Sequence, residues 1–494
     1  MNRISQTNSA ALKFPGYLSV IYLAFTLIVY VLCPYDWPTQ NPILFYGLNL
    51  AYILMFFVGY QLGEKFTFRF KLIEWTDDKT EKLLRVVSYL TIANFCFLLI
   101  HVFRDYGYRT FNFAGLFRDM LVGIKNPGIG YLLHVERQAV LNGSDVMGGY
   151  VYTLFSMIWS FVKLPIAILS LLYFKKLRPL AKLFAILYPV LIVMFYLSIG
   201  TNIQVFHVFL LLELPIIMET FEWWYHKKLN AKRIIKLIAF ILLGCVLLGG
   251  YFGWMMESRS NASGYEIGDY EIGGIAPQKP TQEHTQASTQ ESTQEPTQAP
   301  TQEPTQEPTQ APTQENDGAT EDNSSINQKL YNLWLSFSSY LTQGYYGMSQ
   351  ALSVNWTPMF GFGNSMFVVD MVSNYVYDID QFTYQVKLEE FGWDSNVRWH
   401  TMYTWLANDV SFYGVVIVML LIGMLLAMMF KDAVVTKNPF ARASIFFYIL
   451  MLIFIPCNNQ IAQSNETLFA FLLLIGLWLI CGRNPQQSSD SKKE

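Results

Sequence analysis

An all-α bundle of about ten membrane-spanning helices, with a large external loop carrying short helices, is the fold class this chain predicts. Three observations predict it. Of 494 residues, 52% are hydrophobic and only 14% charged, against roughly 25% charged in soluble domains. Apolar runs of about 18 to 24 residues recur, long enough to cross a hydrocarbon layer of ~30 Å. Lys and Arg cluster in alternate connections between those runs, as topology-determining charges do.

The runs fall near 16–33, 43–62, 86–103, 150–174, 181–199, 203–220, 234–254, 412–430, 443–457 and 466–482, the ninth being short. The first lacks a small-residue cleavage pattern, so a removable signal peptide is not expected. Ten spans place 23 of the 34 Lys and Arg residues on one side, which is read as cytoplasmic and holds both termini. The divisions that follow are 1–254 (seven spans, with an external loop near 104–149), 255–325 (an external spacer), 326–411 (a structured external cap), 412–482 (three spans) and 483–494 (a cytoplasmic tail).

Between Thr281 and Asn316 a four-residue unit beginning Thr-Gln repeats nine times, with no apolar residue larger than Ala. Such a stretch has no means of burying a core and reads as an extended, disordered spacer. The composition changes after it. Residues 330–352 mix Leu330, Leu333, Leu335, Phe337 and Tyr340 with Ser and Asn, suiting a helix laid on the bundle or the outer membrane surface.

The net charge of −3 gives no reason to expect nucleic acid as a partner. Cys33, Cys96, Cys245, Cys457 and Cys481 all lie in or beside apolar runs without metal-ligand spacing. They read as lipid- or core-facing thiols, with one disulfide between Cys33 and Cys457 left open. No HExxH, Walker or GxSxG element occurs, so ATP and serine-hydrolase chemistry lack a sequence basis, and no metal or cofactor is expected.

Charges inside spans need a partner or a wet cavity. Lys163 and Glu213 each sit deep in a run, two residues before Pro165 and Pro215; an ion pair between them is expected, with substrate binding by Lys163 the alternative. The external arginines form a second group. Arg104, Arg109, Arg118 and Arg137 lie in one loop and Arg259 and Arg398 in the other. Guanidinium groups match phosphate oxygens bidentately, so convergence of these six on a diphosphate is expected, the plain alternative being contact with lipid headgroups. His400 lies two residues from Arg398 and nine before Asp409, where either a general base or a structural histidine fits.

The segment Arg398-Trp-His-Thr-Met-Tyr-Thr-Trp-Leu-Ala-Asn-Asp-Val-Ser-Phe-Tyr-Gly414, running straight into the eighth span, resembles the signature that ends the large external loop of bacterial oligosaccharide repeat-unit polymerases, the Wzy-type enzymes of O-antigen, capsule and exopolysaccharide assembly. The layout of spans, loops and termini is similar too. The turn Ser198–Gln204 departs from that family in having no Arg or Lys, which speaks against phosphate binding there. The resemblance implies glycosyl transfer on the outer face of the bacterial plasma membrane. A growing glycan held on polyprenyl diphosphate would pass to a sugar hydroxyl of an incoming lipid-linked unit. It further implies Arg398, His400 and Asp409 as catalytic residues, and Arg259 with the first-loop arginines as diphosphate ligands. Trp399, Tyr403 and Trp405 would stack on sugar rings, although aromatics are common at membrane interfaces regardless. Lipid-linked oligosaccharides, the bilayer, and a chain-length regulator and a flippase are the implied partners. Competing classes are a glycan ligase of similar architecture and a lipid-linked oligosaccharide flippase or other transporter.

Overall fold

The computed structural model describes residues 8–35, 37–66, 72–108, 110–142, 149–262, 324–395 and 398–482. The repeat at 281–316, Arg109, and the tail 483–494 therefore lie outside the described residues, as does the side chain of Arg259. The helices are α1 (Ala10–Leu32), α2 (Pro42–Lys65), α3 (Asp77–Asp105), α4 (Phe113–Lys125), α5 (Pro127–Asn142), α6 (Gly149–Ser160), α7 (Lys163–Leu172), α8 (Pro179–Ser198), α9 (Ile203–Tyr225), α10 (Ala231–Ala262), α11 (Ser324–Ala351), α12 (Met366–Tyr375), α13 (Tyr384–Lys387), α14 (Met402–Lys431), α15 (Pro439–Phe454) and α16 (Asn465–Ile480). Strands β1 (Ile73–Glu74) and β2 (Cys481–Gly482) pair in parallel.

The all-α membrane bundle is observed. Among the described residues, eight helical stretches are long and apolar enough to cross a membrane, and α15 and α16 are shorter apolar helices. At 16 residues each those two are about 24 Å long, short of the ~30 Å hydrocarbon thickness. Their connection, 455–464, is rich in Asn and Gln, and Asn459 and Gln460 are buried. Polar backbone at such a depth survives only when covered by protein, and the segments 362–395 and 398–408 cover it: Ser365 Oγ donates to Ala462 O at 2.7 Å, Asn459 Nδ2 to Asn364 O at 2.6 Å, and the Met402 amide to Ile455 O at 2.9 Å.

Contacts within the bundle sort its connections into two ends. At one end β1 meets β2, the Asn8 amide donates to Tyr225 O at 2.9 Å, Lys431 Nζ donates to Glu64 O at 2.9 Å, and Glu222 receives Lys437 and Arg442. These are the connections in which basic residues cluster. The other end carries α4, α5, the 199–202 turn, 455–464 and the packed half of α11. The expected loop near 104–149 is in fact built from the helices α4 and α5. The amphipathic helix expected at 330–352 is α11, whose second half is seated in the bundle: Tyr345, Met348 and Ala351 are buried, and Tyr345 Oη lies 2.9 Å from Thr26 Oγ1 on α1.

The tightest helix pair is α2 with α14. A methyl group added at Gly59, Gly63 or Gly423 would strike the facing backbone at Leu420, Met424 or Phe56. Small residues spaced four apart let two helix backbones approach where no solvent drives them together. The span expected at 412–430 lies within α14, whose apolar stretch runs Met402–Thr436 and which is broken at Ser411, with φ +60° and ψ 165°. The five cysteines are free; Cys33 contacts Ser338 Oγ at 3.4 Å and makes no disulfide with Cys457.

Lys163 opens α7 after a break in the fourth span. Asn94 spans that break, accepting from Trp159 Nε1 at 2.9 Å and donating to Lys163 O at 3.0 Å. The expected pair with Glu213 does not form. Lys163 instead meets Glu466 at the start of α16, while Glu213 is buried with its Oε1 unpaired. A double-mutant cycle of Lys163→Met with Glu466→Gln, followed by thermal unfolding, is expected to show coupling of about 1 kcal/mol. The corresponding cycle with Glu213→Leu is expected to show none.

Candidate functional site: a cleft at one end of the bundle

The segment singled out by sequence starts a helix by capping. Thr401 Oγ1 accepts from the Thr404 amide at 3.1 Å, so α14 begins at Met402 and its helical phase sorts the side chains. Met402, Tyr403 and Ala407 turn into the core and are buried. Asn408 and Asp409 turn toward the cap. Trp405 turns into a cleft with Arg398, Trp399 and His400.

The cleft has a volume of about 720 Å³ and lies among α9, α10, α11, the C-terminal end of α15 and the 455–463 connection. Its far wall is the turn between α8 and α9. Added methyl groups at Gly123 of α4 and Gly130 of α5 would strike Ser198 O, and Gly200 takes φ +62° against Pro127 O. Tyr106 Oη lies 2.6 Å from Ser198 Oγ. The turn, clamped in this way, presents Thr201 and Asn202 to the cavity.

Several polar groups there are unpaired. Both ring nitrogens of His400, Thr201 Oγ1 and Asn202 Oδ1 are buried without a hydrogen-bond partner. Buried polar atoms are nearly always bonded; four of the exceptions among the described residues lie on this one cavity, within reach of a ligand held there. Burial pushes the His400 pKa down to about 3, leaving a neutral ring that offers one donor and one acceptor. The Arg398 side chain is exposed at the rim, its guanidinium carbon 5.4 Å from the Trp393 ring centroid. Trp399 is fixed by its amide, which donates to Gln343 Oε1 at 3.2 Å, and by its ring, which packs edge-on to Tyr340 at 4.5 Å. Asn458, Gln460 and Gln463 add amides to the floor.

Two sequence assignments change. Tyr403 is buried with its ring 4.5 Å from that of Tyr52, so it is a core residue and has no face for a sugar. Asp409 holds the cap: its Oδ1 accepts from the amides of Gly361 and Gly363 at 2.8 and 2.9 Å, and its Oδ2 from Asn364 Nδ2 at 2.7 Å. Neighbouring Asn408 does the same work, accepting from the Tyr384 amide at 2.9 Å and donating to Gly363 O at 2.8 Å. Asp409 therefore positions the cap and is absent from the cleft lining.

The first-loop arginines do not converge on this cleft. Arg104 lies 4.1 Å over the Tyr152 ring and Arg137, buried, 4.5 Å over Tyr106; Arg118 pairs with adjacent Asp119 at 3.1 Å and is exposed. Lys163, paired with Glu466, is outside the lining as well. Sequence reasoning missed Thr201 and Asn202. Their signal was two uncharged polar residues following Gly200 in an otherwise apolar chain.

Comparison of the chain with protein-family models, with curated proteins and with solved structures finds no match. Fold and cleft together define the class: a multi-pass, all-α membrane protein with a capped cleft, apolar-walled and bearing polar groups, at the end of the bundle away from its charged connections.

The neutral buried His400 has a pH consequence. Unfolded histidine titrates near 6.5, so between about 6.5 and 3 the unfolded chain binds a proton that the folded chain refuses. Stability therefore falls as pH drops through that window, by up to about 1.4 kcal/mol per unit, and this contribution is complete above pH 7. Unfolding curves at pH 7.5 and 4.5 are expected to differ less for His400→Gln than for the parent, by roughly 2 to 3 kcal/mol.

Proposed function

We propose that the protein is an oligosaccharide repeat-unit polymerase of the bacterial plasma membrane, with both termini in the cytoplasm, acting in the cleft on polyprenyl-diphosphate-linked substrates. The observation that supports this reading best is the set of unpaired polar atoms at His400, Thr201 and Asn202 beside the rim cation Arg398, in a cavity walled by Trp399 and Trp405. Aromatic walls suit sugar rings, amides and hydroxyls suit their hydroxyl groups, and a guanidinium suits diphosphate.

In this reading a hydroxyl oxygen of the incoming unit forms a bond to the anomeric carbon of the growing glycan. The bond from that carbon to the diphosphate oxygen breaks, and polyprenyl diphosphate leaves with the electron pair. Diphosphate is already a good leaving group, so the protein's work is positioning and charge stabilisation. Arg398 stabilises the negative charge that builds on the leaving diphosphate. His400, neutral, orients the attacking hydroxyl and accepts its proton. The bound diphosphate raises the histidine's pKa toward a useful range, as a nearby anion does.

Deletion of the gene in its source organism, followed by gel separation of surface glycan, tests the reading. Single repeat units in place of a ladder are expected. Lipid-linked units trapped on the cytoplasmic side would replace polymerisation by flipping, and a full-length glycan left on its lipid would replace it by ligation.

A further inference from the structure

Apart from the cleft, the cap carries a turn that holds a phenylalanine outward in a strained backbone. The Phe362 amide donates to Met359 O at 3.1 Å, and the two residues between them, Phe360 and Gly361, take φ +51° and +97°. Positive φ at both central positions is the pattern of a type I′ turn, where Gly, Asn and Asp predominate; a bulky side chain there is an outlier. The neighbouring helix imposes it. Asp409 of α14 accepts from the amides of Gly361 and Gly363 and from Asn364 Nδ2, and the Met359 amide donates to Asn408 O at 3.2 Å. Held in this way, Phe360 is 83% exposed and Phe362 52%. Strain that persists because its surroundings fix it is characteristic of functional positions.

The helix also sets the height of the turn. Lys431 Nζ, at the far end of α14, donates to Glu64 O among the charged connections. A hydrocarbon layer of ~30 Å takes about 20 residues of helix, so counted back from Lys431 its other boundary falls near Ser411, beside Asp409. Beyond that boundary Tyr413, Ile417 and Leu421, spaced four apart, are exposed along one side of α14, as lipid-facing residues of a span are. Trp356 donates its indole Nε1 to Asn408 O at 3.1 Å with part of its ring uncovered, and Lys387 Nζ donates to Thr357 Oγ1 at 2.8 Å. An amphipathic ring and a cation therefore flank the turn, the residue types that anchor proteins at a membrane interface. We infer that the 356–362 turn is a membrane anchor: Phe360 and Phe362 enter the lipid leaflet beside α14 and fix the height at which the cap sits over the bilayer. The anchor does not depend on the polymerase reading.

The test places p-benzoylphenylalanine at position 360 of the full-length protein, in nanodiscs of phosphatidylethanolamine and phosphatidylglycerol, and counts lipid adducts by intact-protein mass spectrometry after irradiation. The same replacement of Ile417, inside the span, calibrates the yield. At least half of that yield is expected at 360. A yield below one tenth of it, or cross-links to a second copy of the chain in place of lipid, overturns the anchor. Asp409→Ala, which releases both glycine amides, is expected to cut the adducts at 360 at least threefold and to leave those at 417 unchanged. An undiminished yield at 360 in that variant would show that α14 does not hold the rings in the leaflet, and would also count against the anchor.

Discussion

Arg398→Ala is expected to leave the protein folded and inserted while lowering glycan polymerisation at least a hundredfold. The guanidinium is exposed at the rim of the cleft and its backbone amide is held by Asp394 O at 2.8 Å. Truncation therefore removes a charge without opening the core. Loss of a single group that stabilises transition-state charge typically costs 10²- to 10³-fold in rate. Arg398→Lys is expected to recover only part of the activity, because an ammonium cannot form the bidentate contact. His400→Ala is expected to fall as far. There the fold must be checked by the melting curve, because the side chain is buried. A ladder of normal length distribution from a well-expressed Arg398→Ala protein would remove this residue from the site.

Gly59→Leu and Gly423→Leu are expected to prevent accumulation of folded protein, or to lower its melting temperature by many degrees. Both glycines face backbone of the partner helix, at Leu420 and Phe56. Overpacking of a filled interior typically costs about 1 to 3 kcal/mol when a side chain can yield; a backbone carbonyl has less room to give. Separation of α2 from α14 also moves the start of the span to which the cleft is attached. Tyr52 Oη of α2 donates to Phe412 O at 2.7 Å, just past the break at Ser411. Gly249→Leu, on the open face of α10, is the matched control and is expected to fold normally. Size-exclusion profiles and thermal unfolding of the three variants in one detergent compare them directly.

The bundle was legible because a hydrocarbon layer imposes a length and a composition that any sequence must show. The eighth span was expected from 412; the helix that carries it, Met402–Lys431, is broken at Ser411. The ninth was expected to be short and has 16 residues. Side-chain partners were less legible, since they depend on which helices become neighbours. Lys163 found Glu466, which sits at the very edge of the tenth apolar run and so did not read as an intramembrane charge. Helical phase decided the rest. The segment 398–409 looked like one polar cluster in sequence. The cap at Thr401 starts a helix that sends Trp405 to the cleft, Tyr403 to the core and Asp409 to the Gly361–Asn364 turn. The 199–202 turn drew attention only for its lack of charge, yet its hydroxyl and amide supply two of the unpaired atoms of the cleft.

In the proposed function the cleft joins lipid-linked glycan units. Its most direct test is to incubate the purified protein in nanodiscs with polyprenyl-diphosphate-linked repeat units from the source organism and to measure product length by gel and mass spectrometry. A ladder of multiples of the unit with release of polyprenyl diphosphate is expected, both abolished by Arg398→Ala. Units that remain single in the presence of the folded parent protein, or a ladder equally strong with Arg398→Ala, would contradict it.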